Sequence, residues 1–408
     1  MEVKKDFKII NRILNKGVEQ IVPSKDALQK LLTSGKRINI YQGFDPTAPS
    51  LHIGHTVGMR KLEDFRKLGH NVIFLIGDFT ARIGDPSDRT STRVQLSKEQ
   101  VENNMKTYIQ QASKIIDVFN KENPVKILYN SQWLEPLNFS EIIKLTSVFT
   151  VQQMIKRSMF QKRLQEDKPI YLHEFLYPVM QGYDCVMMDT DVEVGGNDQL
   201  FNMLAGRDLI MHKLKKEKIV LALKLLETSD GSKMGKTEGN MIELTDTPND
   251  IFGKIMAFDD KLIIVAFEIL TNYNLDEIEN IKKRLEQDEN PMSIKKELAF
   301  EITKDITSEQ DAKKAQEYFE TIFQKKNLNT EKPLKEIDKD TINILDLLVK
   351  CDIAKSKTQA KRLVEQNAVS INGEKIAKWE TNISLTQDRD CTLKCGRHVY
   401  QLKQSKQG

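Results

Sequence analysis

Short apolar runs and amphipathic stretches alternate along the first half of the chain. Ile38 to Phe44, Asn71 to Ile76 and Val125 to Leu128 read as strands, while Ile53 to Leu68 and residues 94–120 read as helices. Strands alternating with crossover-length helices predict an α/β fold with a parallel sheet. Asp45-Pro46-Thr47-Ala48-Pro49-Ser50 ends the first strand, because its two prolines fix φ and remove backbone donors. Gly69 is the expected stop of the helix that follows, and Gly77-Asp78 and Gly84-Asp85-Pro86-Ser87 mark loops. Residues 139–188 are mostly helical in pattern. Val192-Glu193-Val194 is a short strand ending in Gly195-Gly196, Leu200 to Leu214 is helical, Ile219 to Leu225 is mixed, and Thr228 to Ser232 is a loop.

The second half changes character. Residues 248–330 are rich in Lys and Glu and poor in glycine, which predicts a helical domain. Asn327 to Lys339 is polar, contains a proline and reads as a linker. Beyond it lie two short helices, about 343–351 and 356–366. A hairpin follows from Ala368 to Ile376, with Asn372-Gly373 as its turn. The expected division is thus 1–228, 229–330, a linker at 331–340, and a last module at 341–408.

Composition narrows the class. At roughly 150 residues per domain, 408 residues make two or three domains, enough to bury cores without disulfides or metals. Charged residues at 30% and hydrophobic ones at 39% describe a folded globular chain. The longest apolar runs, such as Val72 to Ile76, fall far short of the ~18 residues of a membrane helix. Met1-Glu2-Val3-Lys4-Lys5-Asp6 has no apolar signal core, so no targeting segment and no membrane association are expected. Four scattered cysteines, at 185, 351, 391 and 395, suit a reducing cytoplasm. The net charge of +3 is unevenly spread: residues 341–408 carry 12 Lys+Arg against 7 Asp+Glu. A basic module on a near-neutral body suits a phosphate backbone as partner, although a solvated charged surface has the same composition.

Three segments carry candidate chemistry. Leu51-His52-Ile53-Gly54-His55 opens the first long helix, where unpaired N–H groups favour anions. His52 and His55 are three apart and share a face, so both can donate to phosphate oxygens. Gly54 lets a flat base approach the backbone, and Thr47 adds a hydroxyl. Alone, the pattern fits a helix start whose histidines only cap or pack. It lacks the H-E-x-x-H form of a zinc site. Gly231-Ser232-Lys233-Met234-Gly235-Lys236-Thr237 is a glycine-flanked loop with two lysines three apart, a mobile clamp for phosphate. It is not a Walker A motif, and alone it is a common surface-loop composition. On a helix, Tyr177, Gln181 and Asp184 fall within about 60° of one another, so one face carries a phenol, an amide and a carboxylate. A buried face of that kind needs a polar ligand or a closed network. Pro178 suggests that the helix begins or bends there. Cys185 reads as a buried small apolar residue, and His70, His173 and His212 as surface or packing residues. Cys391, Cys395 and His398 lack a fourth ligand for a metal.

Taken together, His-Ile-Gly-His and Lys-Met-Gly-Lys-Thr resemble the signature pair of class I aminoacyl-tRNA synthetases. The second departs from the consensus K-M-S-K-S at Gly235 and Thr237 but keeps both lysines. Tyr41-Gln42-Gly43-Phe44-Asp45-Pro46-Thr47-Ala48, Ile83-Gly84-Asp85-Pro86-Ser87, Tyr177 to Asp184, and Gly195-Gly196-Asn197-Asp198-Gln199 resemble the tyrosyl-tRNA synthetase family. The basic module at 341–402 looks like that family's C-terminal S4 RNA-binding domain. The resemblance covers most of the chain, the helical middle being least distinctive.

It implies a Rossmann-like catalytic domain at 1–228, the lysine loop and a helical anticodon-side domain at 229–330, and a small α+β S4 domain. It further implies that tyrosine is activated by ATP and passed to the 3′ end of tRNA(Tyr). Tyr41 and Asp184 would hydrogen-bond the substrate phenol, while Asp85, Tyr177 and Gln181 hold the α-ammonium and Gln199 lies near the reacting carboxylate. ATP contacts would come from Gly43, Asp45, Thr47, His52, Gly54, His55, Gly196, Asp198, Lys233 and Lys236. Of these, Thr47, the two histidines and the two lysines are the catalytic donors. Gln42 stands where some members have a cysteine near the ribose. Mg²⁺ would arrive with ATP, with no all-protein metal cage. A homodimer with tRNA crossing between subunits is implied as well. Two alternatives stand beside this reading. Tryptophanyl-tRNA synthetases share the signatures, but indole offers only one N–H to a face as polar as 177/181/184. A non-catalytic RNA-binding protein on the same scaffold would not need both phosphate sites intact.

Overall fold

The computed structural model describes residues 2–87, 95–227, 241–324, 334–337, 341–385, 391–396 and 398–404. The chain divides into two compact units, Met1–Gln316 and Glu317–Gly408. The first is built on a six-stranded sheet: β1 (Val18–Val22), β2 (Asn39–Phe44), β3 (Asn71–Ile76), β4 (Lys126–Tyr129), β5 (Val192–Gly196) and β6 (Ile219–Leu223). Their order is β1-β6-β5-β2-β3-β4. β2 to β6 run parallel, and β1 is antiparallel at the edge. Strands covered on both faces must be apolar throughout, and β6 is buried at every position while β3 is buried at all but Asn71.

This order contains a reversal. From β2 the chain moves outward to β3 and β4, then returns to the other side of β2 for β5 and β6. The crevice beyond the carboxyl ends of β2 and β5 is where parallel sheets bind ligands. The helix Ile53–Lys67 follows β2 and buries Met59, Leu62 and Phe65. Gly69, at φ +91°, supplies its left-handed stop as expected. The pattern at 94–120 is interrupted: Lys98–Met105 and Tyr108–Ala112 are separate helices.

The helix Leu172–Met187 continues through Pro178 instead of beginning there. Pro178 lacks the N–H that would bond the Glu174 carbonyl, and the Glu174 carboxylate instead anchors this first turn through Arg163 and the Tyr171 N–H. Helices Pro248–Met256, Ile263–Leu270, Leu275–Glu286 and Pro291–Ile306 belong to the same compact unit as the sheet.

The second unit carries β7 (Leu334–Ile337), β8 (Thr341–Asn343), β9 (Val369–Ile371), β10 (Glu374–Lys375), β11 (Asn382–Ser384), β12 (Cys391–Cys395) and β13 (His398–Gln404). The larger sheet has the order β10-β9-β12-β13-β7, and β11 pairs with β8. Helices Ile344–Lys350 and Lys357–Glu365 pack Leu347, Leu348, Ala360 and Val364 into its core with Leu393 and Leu402. Asn372 and Gly373, at φ 50° and 89°, make the expected hairpin turn. The linker expected at 331–340 needs correction, because β7 lies within it and pairs in parallel with β13. Its polar text hid a four-residue edge strand with Ile337 turned into the core.

Candidate active site

The floor of the crevice is a closed polar network. Tyr41 on β2 and Glu193 on β5 are register partners, so their side chains share a face of the sheet. Tyr41 is only 1% exposed, and its hydroxyl donates to Glu193 Oε1 and lies 3.1 Å from Cys185 Sγ. Gln181 Nε2 donates to the same Glu193 oxygen at 2.9 Å. The other Glu193 oxygen accepts from the ammonium of Lys218, which is fully buried. Burial, with Cys185 and Glu193 alongside, pushes the Tyr41 phenol well above its usual pKa.

Asp184 is 2% exposed. It accepts from Trp133 Nε1 at 2.7 Å and from Asn130 Nδ2 at 3.2 Å. Burial outweighs both hydrogen bonds and raises its carboxyl well above the ordinary range. Asn130 continues the chain to Thr80 Oγ1 at 3.0 Å, Thr80 to Asp45 Oδ1 at 2.7 Å, and Tyr177 closes it on Asp45 Oδ2 at 2.7 Å. The helix face of Tyr177, Gln181 and Asp184 therefore does turn to the sheet, and each member has a protein partner. A second cluster joins two residues expected at the amino and carboxyl ends of the substrate. Gln199 Nε2 donates to Asp85 Oδ2 at 2.6 Å, and Asp85 also accepts from the Ser87 backbone and hydroxyl.

The residues expected at the phosphates come from separate chain segments. His52 caps the helix Ile53–Lys67, and its backbone N–H donates to His55 Nδ1 at 3.0 Å. That bond leaves the proton of a neutral His55 on Nε2, which is then a donor. The two rings stack at 3.8 Å. Burial lowers the pKa of His52 to about 4 and that of His55 well below the usual value, so both are neutral donors rather than cations near pH 7. Thr47 sits in a tight turn with its N–H on the Asp45 carbonyl at 2.7 Å. Gly43 and Gly54 are exposed, leaving their backbone open. At Gly196, a Cβ would fall 2.4 Å from Asp198 Oδ1. Lys233 and Lys236 lie outside the described residues. The chain emerging from that segment is pinned beside the histidines: Ile53 N–H donates to the Ile242 carbonyl at 2.9 Å, and Leu244 N–H to the Leu51 carbonyl at 2.8 Å.

Sequence reasoning missed Glu193, Lys218, Trp133, Asn130 and Thr80. Glu193 left a signal, a lone charge inside an apolar strand. Lys218 left none, being the last of Lys215-Lys216-Glu217-Lys218. Cys185, expected to be an apolar filler, is instead within hydrogen-bond reach of Tyr41 and Lys218. Gln42 packs over Gly58, with its Oε1 buried and unpartnered.

The family model for "tRNA synthetases class I (W and Y)" matches residues 33–324, and that for the "Tyrosine--tRNA ligase SYY-like C-terminal domain" matches 324–402. The tyrosine–tRNA ligase of Thermotoga maritima is 42% identical over 391 residues, 95% of this chain and 96% of its own length. The chain belongs to the tyrosyl-tRNA synthetases. The corresponding ligase of Aquifex aeolicus is 41% identical over 92% of this chain and 93% of its own. A C-terminally truncated mitochondrial tyrosyl-tRNA synthetase from Aspergillus nidulans shares the fold at 23% identity, with a TM-score of 0.66 over 78% of this chain and 95% of its own. A tyrosyl-tRNA synthetase from Archaeoglobus fulgidus, solved with L-tyrosine, superposes with a TM-score of 0.59 at 18% identity, over 75% of this chain and 98% of its own. As a tyrosyl-tRNA synthetase the chain is a class I ligase that joins tyrosine to tRNA(Tyr) at the expense of ATP, and the tryptophan alternative is not favoured.

Proposed function

We propose that the crevice beyond β2 and β5 is the adenylation site, with the roles divided between its two halves. The observation that carries this reading is the buried polar floor at the sheet's reversal, formed by Tyr41, Gln181, Glu193 and Asp184. Tyr41 and Asp184 bind the phenol of tyrosine. Asp85, Tyr177 and Gln181 bind the α-ammonium, a charge that must be met when it is desolvated. Gln199 orients the carboxylate, whose oxygen attacks the α-phosphorus of ATP as pyrophosphate leaves. No protein nucleophile or base is needed, so catalysis is positioning and electrostatics.

His52, His55, Thr47, Lys233 and Lys236 stabilise the charge that spreads over the phosphates. Gly43, Asp45, Gly54, Gly196 and Asp198 seat the nucleotide. Mg²⁺ enters as part of the MgATP substrate. Phenylalanine is rejected because it leaves Tyr41 and Asp184 each one hydrogen bond short in a dry pocket.

The second unit binds tRNA(Tyr), mainly through phosphates. The enzyme works as a homodimer, a reading supported by the exposed Phe139, Ile143, Val151, Leu164 and Leu172 within one stretch of the first unit. The unpaired thiols of Cys185, Cys351, Cys391 and Cys395 suit a cytoplasmic enzyme. ATP–pyrophosphate exchange with each of the twenty amino acids tests the pocket: exchange with tyrosine alone is expected, and equal exchange with phenylalanine would overturn the assigned floor.

A further inference from the structure

Beneath the proposed pocket lies a buried ion pair. Lys218, immediately before β6, is 0% exposed and Glu193 is 2% exposed. The ammonium donates to Glu193 Oε2, to the Met203 carbonyl at 2.9 Å and to Cys185 Sγ at 3.2 Å. Room for it comes from Gly206, where a Cβ would fall 2.6 Å from both Lys218 Nζ and Cys185 Sγ. Burial opposes the Lys218 charge, but the sulfur of Cys185 and the carboxylate of Glu193 raise its pKa above the usual lysine value. A buried pair is weak as a source of stability, because desolvation offsets most of its attraction. Its other effect is directional. An ionised carboxylate only accepts hydrogen bonds. Glu193 Oε1 takes the hydroxyl proton of Tyr41 and the amide N–H of Gln181. The Tyr41 oxygen lone pair and the Gln181 carbonyl remain as acceptors for a ligand, beside the second N–H of the Gln181 amide.

We propose that Glu193 and Lys218 are the positioning pair of the amino-acid pocket, turning Tyr41 and Gln181 so that both present acceptors to the phenolic proton and the α-ammonium of tyrosine. This rests on the pocket assignment above. Lys218 holds one oxygen of Glu193, the other oxygen sets the polarity of its two neighbours, and the pocket therefore selects a ring substituent that donates a proton.

The test has two arms. In the variant E193Q/K218M no charge is left unpaired. Its thermal midpoint should stay close to that of the parent while the KM for tyrosine in pyrophosphate exchange rises about tenfold, with the KM for ATP unchanged. A tyrosine KM within about twofold of the parent, or an equal rise in both KM values, overturns the proposal. Y41F is the control: if it leaves the tyrosine KM unchanged, the pocket assignment itself falls, and the proposal with it. The second arm needs no variant. 4-Aminophenylalanine and 4-fluorophenylalanine are similar in size, but only the first donates from the ring substituent. As inhibitors of tyrosine-dependent exchange by the unmodified enzyme, the amino compound should bind about tenfold more tightly. Equal binding, or tighter binding of the fluoro compound, overturns the acceptor-lined pocket.

Discussion

The two halves of the crevice are made differently. The half proposed for the amino acid is a network of buried and half-buried side chains in which Tyr41, Gln181 and Asp184 already have protein partners. The half proposed for the phosphates is an exposed-backbone turn and two neutral histidines at a helix start, with Ile242 and Leu244 held beside them by two backbone hydrogen bonds. The difference follows from what each must recognise. A phenol is told from a phenyl ring by single hydrogen bonds, which discriminate only in a dry and rigid setting. A phosphate in the transition state is recognised by charge and by donors that converge as the bond changes.

The comparison can be broken in several ways. The largest effect should come from H55A, which removes a neutral donor. Its kcat for exchange should fall about 10²–10³-fold, roughly 3–4 kcal/mol, with little change in the tyrosine KM. Acid should reveal the same histidine pair. Unfolded, His52 titrates near 6.5, and burial in the fold brings it to about 4. The unfolded chain therefore takes up its proton first, so this stabilisation is full above pH 6.5 and is lost as pH falls towards 4. Urea unfolding at pH 7 and at pH 4.5 should show the parent losing about 2–3 kcal/mol more than H52Q. Equal losses would contradict the buried, neutral histidine.

On the amino-acid side, D184N should raise the tyrosine KM about 10–100-fold and leave the KM for ATP unchanged, because Trp133 and Asn130 then face an amide in place of a carboxylate. The smallest effect on adenylation should follow truncation after Gln316. Removing the second unit should leave exchange within about twofold of the full chain while aminoacylation of tRNA(Tyr) falls and loses its steep salt dependence. Parallel loss of both activities would argue against that division.

Much of this was visible in the sequence because the physics is local. Apolar runs gave β2, β3 and β4, while β6 read only as a mixed stretch; Gly69 and Asn372-Gly373 gave their turns, and the 177/181/184 spacing gave a polar helix face. The family resemblance then supplied roles that no spacing could. What stayed hidden is contact across distance. Lys218 reads like its surface neighbours and is buried only because Gly206, twelve positions earlier, leaves it space. Asp45 reads as a loop residue, yet Thr80 and Tyr177 both bond to it. β7 is too short and polar to announce itself and becomes a strand only beside β13. Pro178 failed as a helix boundary because the Arg163–Glu174 pair holds the turn before it.

The central claim is that the two halves act separately, one on tyrosine binding and the other on the transition state. A double-mutant cycle of D184N and H55A, read as kcat/KM for tyrosine in pyrophosphate exchange, tests it directly. The account predicts that the two losses add to within about 0.5 kcal/mol. A coupling above about 1 kcal/mol would contradict it and make the crevice a single cooperative site.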